Sequence, residues 1–106
     1  MAGIGGADVR GELADQVARA ALAVPGVSRL SEGPFGAVAT YLPGGRVAGV
    51  ALASERGEVQ VVARLGYQLR DVAEEVRRAA EVIAGCPVDV TVADLDTDST
   101  EVKDQS

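Results

Sequence analysis

The fold is decided by residues 58–94, which read EVQVVARLGYQLRDVAEEVRRAAEVIAGCPVDVTVAD. Residues 59–65 are mostly apolar and rich in valine, which favours a β-strand. In residues 68–84, apolar side chains recur at spacings of three and four, the pattern of an amphipathic helix. Residues 88–92 alternate valine with less apolar residues, as in a half-buried strand. A strand, a helix and a strand in this order predict a βαβ-like unit that buries one continuous face, with either a parallel or a split pairing of the two strands.

An amphipathic helix is also predicted near the start of the chain. Asp8 is a candidate N-cap residue, and apolar side chains then recur with helical spacing to about Ala23. Pro25 and Gly26 follow, and they end the helix because proline lacks a backbone N–H and disfavours helical geometry in the preceding residue. The sequence therefore predicts a helix over residues 8–23.

Short strands fill the segment between the two helices. Residues 27–30 are predicted as a strand and residues 31–36, SEGPFG, as a loop. Turn-forming residues follow at two places, so consecutive strands are predicted to pair as an antiparallel meander of residues 37–42, 47–53 and 59–65. Gly49 lies inside the middle strand and indicates a weak point or a bulge.

These elements predict an α+β fold. The sheet is expected to be mixed, with four to five strands, formed by the three-strand antiparallel meander plus the βαβ-like unit, and both helices are expected to pack on one face. A chain of 106 residues is long enough for one domain with a modest core. We expect a flexible N-terminus over residues 1–7, a single domain over residues 8–94, and a disordered acidic tail over residues 95–106.

Charge and composition disfavour several classes of partner. The net charge is −6, and residues 94–106 carry much of it, with five acids against one base. Such a balance disfavours nucleic acid, because affinity for phosphate backbones comes from clustered Lys and Arg. No signal peptide or membrane-spanning segment is predicted, since no apolar run approaches the ~20 residues that a span needs. A single cysteine fits a reduced cytoplasm.

Groups that commonly carry catalysis are missing from the sequence. The chain has no histidine, which excludes Ser-His-Asp triads, Cys-His pairs and the usual Cys/His zinc sites. Cys86 follows the end of a predicted helix, where the helix dipole disfavours a thiolate, so we interpret it as structural. Gly33-Pro34-Phe35-Gly36 matches the GXXG of KH domains, but predicted strands flank it, and we interpret it as a turn. No catalytic, cofactor-binding or metal-binding residue is predicted, and the chain is expected not to be an enzyme.

Three motifs follow one another along the chain: V-P-G-V at residues 24–27, Gly66-Tyr67 before the long helix, and G-x-P-V at residues 85–88 before a V-x-V-x-V strand. The segments that carry them together resemble the bacterial alkaline shock protein family, also called the envelope-stress-response proteins. The short stretch around YLPGGRVAGV, residues 41–50, is similar to that of small actinobacterial members of the family. What carries the resemblance is the order and spacing of these features.

The resemblance implies a non-enzymatic, cytoplasmic protein linked to cell-envelope stress. It implies an adaptor that acts through protein–protein interaction, self-associates, and is held near the membrane by a small integral-membrane partner. We expect the contact surfaces to be the exposed edge of the meander and the loop of residues 31–36.

An alternative function uses arginine side chains. Arg46, Arg56 and Arg64 lie near predicted turns or strand ends, where they could converge to bind a small ligand or nucleic acid. The acidic balance of the chain favours instead the interpretation that they are solvated charges at strand ends.

Overall fold

The structure, a computed structural model, describes the backbone of residues 2–97 and the side chains of residues 9–97. Two helices and six strands lie in this part of the chain, with a short 3-10 turn at Pro34–Gly36 between the first two strands. In chain order they are α1 (Ala2–Leu22), β1 (Val27–Leu30), β2 (Ala39–Leu42), β3 (Gly45–Ala48), β4 (Val50–Leu52), β5 (Gly57–Arg64), α2 (Leu69–Ala84) and β6 (Val88–Asp96). The predicted α+β fold class is confirmed.

Strand β5 is the centre of a four-stranded mixed sheet. Along one edge it pairs antiparallel with β4 through residues 57–59 and then with β1 through residues 61–63. Along the other edge it pairs with β6 over its whole length. Strands β2 and β3 form a separate two-stranded sheet.

The pairing of β5 with β6 is parallel, with Val59 opposite Val90 and Val61 opposite Val92. Helix α2 makes the crossover between them, as parallel neighbours require. Of the two arrangements that the sequence leaves open, the structure has the parallel one. The register shifts after Val61, where Ala93 is the extra residue of a bulge in β6.

One apolar cluster holds the two helices against the same face of the sheet. Full burial of a valine side chain is worth roughly 1.5–3 kcal/mol, so a core built from valine and alanine can stabilise a small domain without aromatic rings. The cluster consists of Ala14, Val17, Ala18 and Ala21 of α1, Val72, Val76 and Ala80 of α2, and Val27, Val50, Val59, Val61 and Val88 of the strands.

Some predicted boundaries differ from the structure. Helix α1 begins at Ala2, so Asp8 lies inside the helix and does not cap it. Glycine costs a helix about 1 kcal/mol relative to alanine without forbidding it, which is why the glycine-rich start does not mark a boundary. Strand β6 runs to Asp96, two residues past the predicted domain end at residue 94. Most of the predicted acidic tail, residues 98–106, lies outside the described residues.

The predicted three-strand meander is divided at Gly49. The backbone of Gly49 has φ +86°, which breaks the middle strand into β3 and β4 and places them in different sheets. Its N–H donates to Val38 O at 2.8 Å, and its carbonyl accepts from Gln60 N–H at 3.1 Å. The chain therefore turns from one sheet into the other at a position where glycine is favoured.

A buried hydroxyl ties the two sheets together beside this turn. Thr40 Oγ1 on β2 donates to Val50 O at 2.7 Å and accepts from Leu52 N–H at 3.1 Å, both on β4. Because Thr40 is buried, these bonds satisfy a polar group that would otherwise be costly to remove from water. The β2–β3 hairpin is thus fixed relative to the main sheet.

Substituting Gly49 by alanine should destabilise the domain strongly. A Cβ at this position would lie 2.6 Å from Leu30 Cβ, and φ +86° is strained for any L side chain. We expect Gly49→Ala to lower the free energy of unfolding by about 2–4 kcal/mol, measured by urea denaturation.

Gly44→Ala is the matched control for that substitution. Gly44 also has a left-handed backbone, with φ +82°, but nothing lies within 4 Å of a Cβ built on it. Gly44→Ala should lower the free energy of unfolding only by the cost of placing an alanine in the left-handed conformation, about 1 kcal/mol. Equal losses in the two variants would show that the close approach of residue 49 to Leu30 is not a constraint on the fold.

Candidate protein-binding surface

The loop between β1 and β2 presents Phe35 entirely to solvent. Phe35 is the one phenylalanine of the chain, and its relative exposure is 104%. Burial of a phenylalanine side chain normally stabilises a protein by roughly 1.5–3 kcal/mol. The buried core cluster of this chain consists of valine and alanine and holds no aromatic ring. An aromatic ring held outside the core is therefore a feature that folding does not explain.

The backbone of Phe35 is in the left-handed region, with φ +59° and ψ +21°. It is the one non-glycine residue with positive φ among the described residues. This conformation is uncommon for a bulky side chain and costs of the order of 1–3 kcal/mol. The surrounding loop must hold the residue in place against that cost.

Backbone hydrogen bonds close the loop around Phe35. Gly36 N–H donates to Gly33 O at 3.3 Å, and Ala37 N–H donates to Pro34 O at 3.2 Å. At the base of the loop, Val38 N–H donates to Glu32 O at 2.7 Å. Pro34, whose φ is fixed by its ring, directly precedes Phe35. These bonds form a compact turn with Phe35 at its tip.

A bidentate ion pair attaches this loop to the β2–β3 hairpin. Arg46 Nε donates to Glu32 Oε1 at 3.0 Å, and Arg46 Nη2 donates to Glu32 Oε2 at 2.7 Å. This paired geometry fixes orientation better than a single contact. The hydrogen bond from Arg46 lowers the pKa of the Glu32 carboxyl, so the pair is charged at neutral pH.

Tyr41 on β2 braces the loop from a second side. Its hydroxyl donates to Gly36 O at 2.8 Å, while the residue as a whole remains 63% exposed. The ring of Tyr41 is thus held close to the turn that carries Phe35. We name the surface formed by Pro34, Phe35 and Tyr41 the aromatic tip.

The aromatic tip offers apolar area and one hydroxyl. The hydroxyl is that of Tyr41, and it is engaged with Gly36 O. Aromatic side chains presented in a fixed conformation are typical anchors of protein interfaces, because little conformational freedom is lost when they bind. The arrangement is suited to binding an apolar pocket on a partner.

The structure does not bring the three predicted arginines together. Arg46 is bonded to Glu32, and Arg56 is bonded to Asp89 through Nη2 at 2.9 Å. Arg56 precedes β5 and Arg64 ends it, so the two lie at opposite ends of a strand about 25 Å long. The convergence that a ligand or nucleic-acid site would need is absent from these side chains.

Cys86 and the carboxylates do not form a second site in the described part of the chain. Cys86 is half-buried between α2 and β6 and has no disulfide partner. Among residues whose side chains are described, no three histidine, cysteine, aspartate or glutamate side chains cluster as ligands for a metal ion. Two acids of α2, Glu74 and Glu81, pair instead along the helix, where Arg77 bonds both and Arg78 bonds Glu74.

Sequence reasoning located the loop but not the side chain that matters in it. Residues 31–36 were expected to form a contact surface, and GPFG was interpreted as a turn; the structure has the turn at this place. Full exposure of Phe35 could not be predicted from the apolar pattern, because it depends on the left-handed backbone between two glycines. A lone phenylalanine in a Gly-Pro-Phe-Gly turn is the signal that could have indicated it.

No protein-family model, curated protein or solved structure matches the chain. In the part of the chain that the structure describes, neither helix combines the length and apolar character needed to cross a bilayer.

Removing Arg46 should raise the pKa of Glu32. In the folded protein, Arg46 favours the charged carboxylate, so the ion pair contributes stability at neutral pH and loses it as the pH falls through the folded-state pKa of Glu32. In Arg46→Gln we expect the Glu32 pKa to rise towards its ordinary value, as measured by NMR titration of the side-chain carboxyl carbon.

Arg56→Gln is the control for that titration, because it breaks the ion pair with Asp89 at a different place on the sheet. It should leave the titration of Glu32 unchanged. The same Glu32 pKa in the wild type and in Arg46→Gln would contradict the role of Arg46 in bracing the loop.

Relieving the backbone strain at Phe35 should not cost stability. Phe35 buries no side-chain area, and glycine adopts φ +59° without strain. We expect Phe35→Gly to leave the free energy of unfolding unchanged or to raise it by up to about 1 kcal/mol, measured by urea denaturation. A loss above about 1 kcal/mol would mean that the ring contributes to the fold.

Proposed function

We propose that the protein is a non-enzymatic adaptor that binds a protein partner through the aromatic tip. The observation that carries the proposal is the full exposure of Phe35 in a strained backbone conformation that the loop holds in place. Strained residues persist where the surrounding structure enforces them, and they are concentrated at functional positions. A binding role gives this arrangement a use that folding alone does not.

The charges around the aromatic tip support a protein partner. Glu32 and Arg46 neutralise each other beside the loop, so the tip is apolar with a balanced polar border. Exposed anchors of this type bind apolar pockets and leave the polar border to exclude water. A polyanion would need an excess of positive charge, which this surface does not have.

The resemblance to the alkaline shock protein family suggests the setting of this interaction. On that basis we propose a role in the envelope stress response, in the cytoplasm, with a small integral-membrane protein as the partner that holds the adaptor near the membrane. Self-association is a further part of this proposal. The absence of histidine supports a function by binding and not by catalysis.

A crosslinking pull-down from native cells tests the adaptor function through one substitution. The wild type should capture an integral-membrane protein, and Phe35→Ala should lose it, because the anchor ring is gone while the fold is intact. Loss of binding should be at least tenfold in recovered partner, measured by quantitative mass spectrometry. Thermal unfolding of the variant should match that of the wild type.

Val82→Ala is the matched control for the pull-down. Val82 is also a large apolar side chain, 84% exposed, but it lies on α2 and outside the aromatic tip. It should retain the partner. Recovery of no membrane protein by the wild type, or equal recovery by Phe35→Ala, would contradict the proposed function.

A further inference from the structure

Strand β6 has an open outer edge. Among the residues that the structure describes, β6 pairs with β5 alone, although it is nine residues long. The opposite edge of β5 is covered by β4 and β1. Natural proteins usually protect long edges, since unpaired N–H and C=O groups are templates for pairing with another strand.

The orientation of the backbone shows which groups are available on this edge. Gly57 N–H donates to Pro87 O, so in the parallel ladder the odd-numbered residues 87, 89 and 91 bond to β5. Val88, Val90 and Val92 then direct their N–H and C=O groups away from β5. Consistent with this, the N–H of Val88 donates to Glu81 Oε2 of α2 at 2.9 Å.

The regular part of this edge is short and bounded on both sides. Pro87 precedes it, and the bulge at Ala93 follows it. Between them, the three outward-facing residues Val88, Val90 and Val92 are evenly spaced about Val90. A two-fold axis through Val90 would pair Val90 with itself and Val88 with Val92 of a second copy, with about six hydrogen bonds in total.

The same two-fold axis would also bring charges of opposite sign on the two copies together beside the edge. Among the strands, helix α2 packs mainly against β6, and on the flank that carries Glu81 it presents charges of alternating sign. With two copies antiparallel, positive meets negative at each step: Arg70 opposite Glu81, and Arg77 opposite Glu74. We name this set, Arg70, Glu74, Arg77 and Glu81, the charged stripe.

The charged stripe and the strand share the same centre. The stripe is centred about 8 Å along the helix from Glu81, at a rise of 1.5 Å per residue. Glu81 contacts Val88 at one end of the strand. A displacement of about 8 Å along the strand from Val88 corresponds to about two to three residues, so the centre of the charged stripe is level with Val90. One two-fold axis therefore satisfies both the backbone of β6 and the charges of α2.

The acid within the paired stretch of the strand, Asp89, does not oppose this pairing. Asp89 would lie opposite Thr91 of the second copy, and its charge is already balanced by Arg56. Axes through Val88 or Val92 would bring Pro87 or the bulge at Ala93 into the ladder and lose hydrogen bonds. An axis through Val90 is the one that pairs all the outward-facing N–H and C=O groups of Val88, Val90 and Val92.

We propose that two copies of this chain associate through antiparallel pairing of their β6 strands about Val90, with the charged stripes of the two α2 helices in contact. The sheets of the two copies then form one continuous sheet with the helices on one side. On pairing, Val88 N–H transfers from Glu81 to Val92 of the second copy, and the Glu81 carboxylate stays with Arg77 and gains Arg70 of the second copy. The pairing gives an interface to the self-association that forms part of the proposed function, and it does not depend on the aromatic tip.

Sedimentation velocity of the full chain, from micromolar to millimolar concentration, tests this association. The wild type should shift from monomer to dimer, and Val90→Pro should weaken the dimer at least tenfold. Proline is tolerated where the missing N–H faces outward, so the variant should keep the monomer fold, which circular dichroism checks. A wild type that stays monomeric over the whole range would overturn the proposal, as would a Val90→Pro dimer of unchanged strength.

Charge reversal on α2 gives a second test that leaves the strand untouched. Arg77→Glu should weaken the dimer at least tenfold, because it places like charges together twice across the two-fold axis. Combining Glu74→Arg with Arg77→Glu restores opposite charges and should bring the dissociation constant back to within about threefold of the wild type. Failure of the double variant to recover would contradict the predicted register.

Hydrogen exchange distinguishes a second copy from other occupants of the edge. The amides of Val90 and Val92 should exchange fast in the monomer and become protected as the concentration rises. Protection that is independent of concentration would mean that the chain covers its own edge, and fast exchange at every concentration would leave the edge open to an extended peptide. Either result overturns pairing with a second copy.

Discussion

The structure depends on strand β5, which is hydrogen bonded along both edges. Three strands pair with it, β6 along one side and β4 and then β1 along the other. Val59 and Val61 of β5 are fully buried in the apolar cluster that the two helices cover. Every other element is positioned by this strand, directly or through a neighbour, so the loop that carries Phe35 and the open edge of β6 are both set by its pairing.

The elements with a strong apolar pattern could be predicted from the sequence. Two predictions agree with the structure because local signals decide them: the strand of residues 27–30 and the end of α2 at Ala84. Gly85, which follows that end, has the left-handed conformation typical of the residue after a helix. The choice of parallel pairing could not be predicted, and Gly49 was predicted as a weak point or a bulge but not as the place where the chain passes into a second sheet. Both depend on contacts between distant residues, such as the close approach of residue 49 to Leu30.

The candidate surface was predictable only as a loop. Nothing in the order of residues 31–36 shows that Glu32 bonds Arg46 or that the Tyr41 hydroxyl reaches Gly36, since these contacts need the β2–β3 hairpin to be folded beside the loop. The alternative in which Arg46, Arg56 and Arg64 converge fails for the same reason. Charges at strand ends find local partners, as Arg56 does with Asp89, and strand pairing decides which ones.

The proposed binding role requires that the loop presents Phe35 in one conformation before any partner binds. Backbone ¹⁵N relaxation of the free protein tests this most directly. We predict order parameters of about 0.85 for residues 32–37, as in rigid secondary structure, together with a positive φ at Phe35 from scalar couplings. Order parameters below about 0.6 in this loop would contradict the claim, because the ring would then not be held in place for a partner.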